Sequence, residues 1–434
     1  MKVMTNHPST RSSIRILPLA LLFALAVLPR LGALAVNNPV FDYSLDLPIG
    51  WVEADNTDPA HVGFFSPNAD AMIQVIAIEA DGSRSGVAIA ESMLHTMDAD
   101  GEPVAFGFQG YPAALSDVRF VTSGMPARGY LVTISADGTE FVLLAFAIDE
   151  SGAPPRGAAR SPGGSGPPGA TTPSGGSGSA YDAAHDHLLS AIDSFAIGES
   201  GRLAPGPISQ FFHPFPAPDA RPAPLGFFDV PIPFAVDPHE LDATAMLVER
   251  EARLLAPYGA LDAQTAYQAW RRYFRMIYRD NFLRLDGVAA GIGDALASRR
   301  TPRVDYPREV LSWLQGFDYT RAGGVADFLP PLLCLVGREG DCDSLAMTYV
   351  IILHHLGFDA ILMVSDRFAH AVAAVDVLGP GARFDFEGRR WLIAELTAPV
   401  EIGQIAASMA DPAGWIGVRL RLVPIEAPVV QPGG

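Results

Sequence analysis

The sequence predicts an α+β protein, on three observations. Residues 40–150 alternate apolar and polar positions in short runs, with one stretch of helical spacing. Residues 238–300 carry apolar side chains three and four positions apart over two or three long segments. Residues 342–396 read as one helix followed by three strands.

The amino terminus is read apart from the fold. Lys2, Arg11 and Arg15 form a basic head. Ile16 to Leu28 form an apolar core too short for a bilayer, which needs about 20 residues, and Ala33-Leu34-Ala35 offers an A-x-A cleavage signature. No cysteine follows the apolar core to carry a lipid. Residues 1–35 are therefore expected to be a signal peptide, and the protein to be exported to the periplasm or the outside of a bacterial cell envelope. Removing them takes away four cations and no acid, so the formal charge moves from −18 to −22. Such a chain repels nucleic acid and anionic lipid surfaces, and no integral membrane domain is expected after cleavage. Lys2 is the only lysine. The mature chain would hold none, so no lysine of its own could capture an acyl-enzyme.

Phe41 to Leu47 alternate as a half-buried strand does, and Pro48-Ile49-Gly50-Trp51 ends it in a turn carrying a buried aromatic. Ala71 to Ile78, Gly129 to Ile134 and Glu140 to Ile148 are further strands, and Val87 to Met97 has helical spacing. Residues 151–180 are dominated by Ser, Gly, Pro, Ala and Thr. Such composition buries too little surface to offset its ordering entropy, so a disordered insert is expected there. Tyr181 to Phe195 read as an amphipathic helix that closes the first domain. Leu47-Pro48-Ile49-Gly50-Trp51, the strong late strand and the ending Asp193-Ser194-Phe195 make residues 36–198 resemble PsbP-like domains. That resemblance implies a small α/β sandwich with a binding or scaffolding role.

Residues 199–237 are rich in Pro and Phe and read as an irregular connector, with Phe211, Phe212, Phe215, Phe227 and Phe228 pinning it to a neighbouring domain. The second domain, 238–430, opens with a helical lead-in over 238–300. Its segments are Pro238 to Leu255, Asp262 to Tyr278 and Asn281 to Ser298. Trp270, Tyr273, Phe274 and Ile277 follow helical spacing and are core. Glu249-Arg250-Glu251 and Arg271-Arg272 read as solvated helix faces.

The candidate chemistry lies further on. Pro307 to Gln315 form a short helix. Gly340-Asp341-Cys342-Asp343-Ser344 then opens a helix that Gly357 ends. A cysteine in the first turn of a helix meets unpaired backbone N–H groups and the positive end of the helix dipole, which favour a thiolate. Strands over Phe358 to Val364, His370 to Val377 and Arg390 to Leu396 follow. His370 lies 28 residues past Cys342, and Glu395 25 past His370. Two neighbouring strands can each present one of these side chains to the sulfur. Cysteine, histidine and carboxylate are the parts of a thiol acyl-transfer site. His370 would take or hold the thiol proton, and Glu395 would orient the ring. The Cys342 N–H is one oxyanion donor, and Gln315 is the candidate second. Asp341 reads as the helix N-cap, while Asp341 and Asp343 together disfavour negative charge on the sulfur.

Four pieces carry a family resemblance: Gly340 to Ser344, His355-Leu356-Gly357-Phe358-Asp359-Ala360, Ala369-His370-Ala371-Val372, and Ala394 to Pro399. Residues 300–405 resemble the transglutaminase-like superfamily with its papain-like core. The resemblance implies Cys342 as nucleophile, His370 as base and Glu395 where relatives more often carry Asp. The superfamily includes transglutaminases, proteases, amidases and inactive members, so the resemblance names no substrate; from the Cys–His–Glu order the expectation is an amide hydrolase or acyl transferase acting on protein or peptide, with no cofactor and no metal. The alternative is a non-catalytic envelope scaffold with a residual triad.

Cys334 and Cys342 are the only cysteines. A structural disulfide or a redox lock between them is a competing use, and a metal site with a histidine is a third. His354 and His355 read as cations favoured at a helix C-terminus, with one ring partly buried. No Gly-rich phosphate loop and no basic aromatic patch is found.

Overall fold

The computed structural model describes residues 34–54, 58–80, 82–149, 180–321, 323 and 326–421. The expected signal segment and the 151–180 insert lie outside the described residues, except Leu34, Ala35 and Ala180. The fold is mixed α+β.

In the first half, β1 (Leu34–Asn38) pairs antiparallel with β2 (Tyr43–Leu47), so two residues of the expected cleavage signature, Leu34 and Ala35, sit in a strand. The short β3 (Val52–Glu53), then β4 (His61–Phe65) and β5 (Ala71–Glu79), form one wing of an eight-stranded sheet. Helix α1 (Gly86–Met97) follows, and β6 (Asp100–Gly101), β7 (Val104–Phe108), β8 (Tyr111–Thr122), β9 (Met125–Ala136) and β10 (Thr139–Ile148) complete the sheet. Its order is β3-β4-β5-β10-β9-β8-β6, with β7 also on β8, and every pair is antiparallel.

The pleat of β10 shows why this half is a sandwich. Phe141, Leu143, Ala145 and Ala147 face α2 (Ala180–Asp193), whereas Val142, Leu144 and Phe146 face α1. Side chains alternate between faces along a strand, so a strand covered on both sides reads as one apolar run. A short β11 (Ala196–Ile197) returns to β2.

The connector holds short helices α3 (Gly198–Gly201) and α4 (Pro207–Phe212). Strands β12 (Arg221–Pro222), β13 (Gly226–Phe227), β14 (Val230–Pro231) and β15 (Ala235–Val236) pair as two small ribbons. Leu225, Phe227, Ile232, Phe234 and Val236 from this stretch are buried in the core of the second half.

Helix α5 (Pro238–Leu255) is capped by Asp237, which accepts the His239 N–H at 2.9 Å. Helix α6 (Ala263–Phe282) is capped by Asp262, which accepts the Thr265 N–H at 3.0 Å. Helix α7 (Asp286–Ser298) starts five residues later than the periodicity suggests, because Asn281 still belongs to α6. Helix α8 (Tyr306–Leu314) precedes β16 (Asp318–Tyr319), α9 (Pro331–Gly337), β17 (Glu339–Gly340) and α10 (Cys342–His355). The second sheet contains β18 (Ala360–Ser365), β19 (His370–Val375), β20 (Arg383–Phe386), β21 (Arg389–Ala394) and β22 (Ile416–Val418), in the order β20-β21-β19-β18-β22. The edge strands β20 and β22 go unread in the sequence. Each is short, and β22 pairs with a strand more than fifty residues upstream.

The charged residues read as solvated faces of α5 and α6 are mostly buried: Glu251 is 1 % exposed, Arg272 4 % and Arg250 6 %. They point at the first half. Arg250 bonds Asp193 Oδ2 at 2.8 Å and Glu251 Oε1 at 3.1 Å. Arg272 bonds Glu251 Oε2 at 2.7 Å, Ser190 Oγ at 2.7 Å and the Asp46 carbonyl at 2.8 Å. Arg275 grips Asp46 with two bonds, 2.7 and 2.9 Å. Periodicity finds the apolar stripe of a helix, but a second stripe buried by ion pairing looks the same in sequence as one facing water.

Breaking one partner of a buried ion pair leaves the other charge desolvated. We expect Glu251→Gln to lower stability by about 3 kcal/mol, read as a fall in melting temperature. The exposed pair of Glu387 and Arg419 serves as control: Glu387→Gln should cost about 1 kcal/mol or less.

Candidate functional site

Three residues of the Gly340–Ser344 run, Gly340, Asp341 and Ser344, have structural tasks. Gly340 pairs with Tyr319 where β16 and β17 run parallel, and its carbonyl accepts the Thr320 N–H at 3.1 Å. A Cβ on Gly340 would sit 3.2 Å from the Cys334 sulfur. Asp341 caps α10, its Oδ1 accepting from the Ser344 N–H at 2.8 Å and the Ser344 hydroxyl at 2.6 Å. The same hydroxyl accepts the Leu329 N–H at 2.9 Å and so ties the preceding loop to the helix start. Cys342 is the first residue of α10 and is 5 % exposed. Its N–H, at the first helical position, has no intrahelical acceptor.

His370 opens β19, just after a turn in which Ala369 takes the left-handed conformation (φ 46°). Glu395 follows the last residue of β21, and the pairing of Ala394 with Ala373 sets it beside β19. The His370 Nε2–H donates to Glu395 Oε2 at 2.8 Å. Cys342 lies near enough to act on the same ring and raise it. The structure thus brings the three sequence-predicted residues together.

Burial alone would lower the His370 pKa. The influence of Cys342, together with the hydrogen bond to Glu395 and its charge, outweighs it and pushes the ring up to about 10. Burial works against the Glu395 carboxylate, but the His370 cation and the Thr397 N–H and hydroxyl hold it below its ordinary value. Those two Thr397 bonds, 2.8 and 2.7 Å, both reach Oε1. Glu395 therefore bends back on its own chain, which accommodates the arm one methylene longer than Asp.

Gln315 does not serve as an oxyanion donor. Its two amide hydrogens are committed to the carbonyls of Glu395 (2.8 Å) and Val400 (2.9 Å). It instead fixes the backbone that carries the carboxylate. The sequence does not reveal Thr397, although its place two residues after Glu395 is a short-range turn signal. Trp415 also goes unread. Its ring lies 6.2 Å from His370, edge-on, held between Phe368 and Phe384 and by a 2.8 Å bond from its indole N–H to the Met409 carbonyl.

The rim is acidic. Burial and then Asp341 raise the Asp343 carboxyl to about 7, with His370 opposing. Arg321 faces these acids from the preceding loop and pairs with Asp327 at 3.0 Å.

Both cysteines are free. Cys334 is fully buried and its thiol is pushed up to about 12 by burial. At the far end of α10 the two histidines are not helix-end cations. Tyr278 donates to His354 Nδ1 at 2.7 Å and His354 Nε2–H donates to the Ala360 carbonyl at 2.8 Å, and burial pushes the ring down to about 3. His355 stacks on Phe282 at 4.0 Å and burial lowers it as well. Among the described residues no cluster of His, Cys, Asp or Glu is arranged to hold a metal ion, and no helix is long and apolar enough to cross a membrane.

No protein-family model matches the sequence, and no curated protein matches it. Solved structures similar to the chain include the cyanobacterial PsbP of Synechocystis sp. PCC 6803, 12% identical with a TM-score of 0.27, covering 41% of this chain and 98% of that one. Another is a crystal structure from Bacteroides thetaiotaomicron VPI-5482, also 12% identical, with a TM-score of 0.24, covering 83% of this chain and 88% of that one. Superpositions this loose carry nothing about the chemistry at Cys342.

A carboxyl raised in the folded state contributes its stability below its ordinary value and loses it as pH rises through the raised one. Asp343 therefore destabilises the protein increasingly between about pH 4 and pH 7. The melting temperature of Asp343→Asn relative to wild type should climb across that window and level off above it.

Proposed function

We propose that the protein is a cysteine-dependent amide hydrolase or acyl transferase of the transglutaminase-like kind, acting on protein or peptide through a thioester on Cys342. The observation behind this reading is the His370 ring hydrogen-bonded to Glu395 and raised by Cys342, the first residue of α10. With its pKa raised to about 10, His370 stays protonated across neutral pH and supports a thiolate beside it.

In the proposed cycle the sulfur attacks an amide carbonyl, and the Cys342 N–H at the start of α10 faces the developing oxyanion. His370 gives its proton to the leaving amine, and the carbonyl carbon remains on sulfur as a thioester. Water or a second amine then attacks, His370 takes a proton from it, and the sulfur departs as thiolate. Glu395, held by Thr397, orients the imidazolium throughout. Trp415 covers one edge of the ring against solvent. Export to the cell envelope belongs to the same proposal, resting on the basic and apolar pattern of residues 1–35.

A second reading, a non-catalytic scaffold, is favoured by Asp341 and Asp343 beside a sulfur that is 5 % exposed. The two readings differ in reactivity. With iodoacetamide at pH 6 we expect Cys342 to label well ahead of Cys334. His370→Ala should slow that labelling at least tenfold, about 1.4 kcal/mol of activation free energy or more. Equal labelling of the two cysteines, at the rate of a denatured control, would sink the catalytic reading. Partner capture surviving Cys342→Ala would favour the scaffold.

A further inference from the structure

A cavity of about 60 Å³ lies between the two halves, with no wall in common with the Cys342 site. Its walls come from β1, β2, the stretch after α2, α6 and residues 420–421. Arg202, Arg275, Arg279 and Arg421 line it, against Asp46 and Glu199. In a chain with 48 acids and 30 Lys and Arg, that is a local reversal of sign.

The arginines differ in how their charge is met. Arg275 is neutralised by Asp46 through two bonds. Among the described residues Arg279 bonds no carboxylate. Its Nε donates to the Ala204 carbonyl at 2.7 Å and its Nη1 to the Asp193 carbonyl at 2.7 Å. Its Nη2 donates to the Phe195 carbonyl at 2.5 Å. Carbonyl dipoles satisfy the donors but leave the charge, and burial lowers the guanidinium to about 10. Arg202 has a buried Nε with no hydrogen-bond partner among the described residues. Arg202 lines the cavity, and no carboxylate among the described residues is paired with it. The remaining surface is largely apolar, with Leu45, Leu203 and Met276 among its residues.

We propose that this cavity binds a small organic carboxylate, its anionic end between Arg202 and Arg279 and its hydrocarbon end against Leu45, Leu203 and Met276. A buried water needs about 15 Å³ of such space. The cavity thus has room for about four waters, which suits an acid between acetate and butyrate in size. A carboxylate there would offset the charges of Arg202 and Arg279.

The test uses the full chain, with melting temperature and calorimetric titration in acetate, propionate and butyrate against sodium chloride of equal ionic strength. We expect saturating butyrate to raise the melting temperature by about 3 °C or more, and chloride to leave it unchanged. Arg202→Met keeps the stem and removes the charge, and should weaken binding at least tenfold. Leu203→Trp fills the apolar end and should weaken butyrate more than acetate, so the proposal remains testable should the Arg202 variant fail to fold. No shift with any acid up to about 50 mM, or undiminished affinity in both variants, overturns the proposal. Inorganic phosphate binding as tightly as butyrate overturns the role of the apolar end.

Discussion

Helix α10 is buried along almost its whole length, including every residue from Ser344 to His354. A helix that is apolar all round has to be enclosed, so the second half is arranged to cover it. Helices α6, α7, α8 and α9 surround it, and β18 and β19 lie along its other side. The enclosure leaves the two ends of the helix as the places where polar chemistry is concentrated. At one end Asp341, Cys342 and Ser344 meet β16, β17 and the strand carrying His370. At the other, His354 is locked between Tyr278 and Ala360 as a neutral ring. The sulfur and the imidazole are therefore held by elements that cannot shift without opening the core.

Helix α6 solves a second packing demand. Tyr273, Phe274, Ile277 and Tyr278 lie in the core of the second half. Arg272, Arg275 and Arg279, a turn apart, reach into the first half. Arginine suits this work better than lysine would, because its planar fork gives two directed bonds to Asp46 and several to scattered carbonyls. Desolvating so many charges is costly, and the cost is met only because nearly every donor finds an acceptor.

The parts of the fold legible in sequence are those specified by local pattern. Helix α5 follows from Asp237 and the apolar spacing behind it, and β10 from its unbroken apolar run. Helix α10, β18, β19 and β21 follow from Gly357 and the turns between strands. In the site, Cys342, His370 and Glu395 are readable from their order and the strand periodicity that puts them on neighbouring elements. What escapes is information held between distant segments. Gln315 has the chemistry of an oxyanion donor, and only the positions of the Glu395 and Val400 carbonyls show that its hydrogens are used. Arg250 and Glu251 look like any solvated helix pair until Asp193 and Arg272 are placed opposite them. Trp415 reaches His370 because β22 closes the far edge of the sheet, a pairing that no local pattern announces.

Asp193 carries a consequence for where the chain can be divided. By sequence it ends the helix that closes the first half. Its carboxylate accepts the Ile208 and Ser209 N–H groups at 2.8 and 2.9 Å as well as Arg250, and its carbonyl accepts from Arg279. Gly206 is a glycine because a Cβ there would lie 2.2 Å from that same carbonyl oxygen. One residue is thus shared by the sandwich, the connector and the helical layer. Cutting the chain between the halves would strand a buried acid on one side and Arg250 and Arg279 on the other. Each half thus acts as part of the other's solvent, and a truncation at this seam is a stability experiment on both.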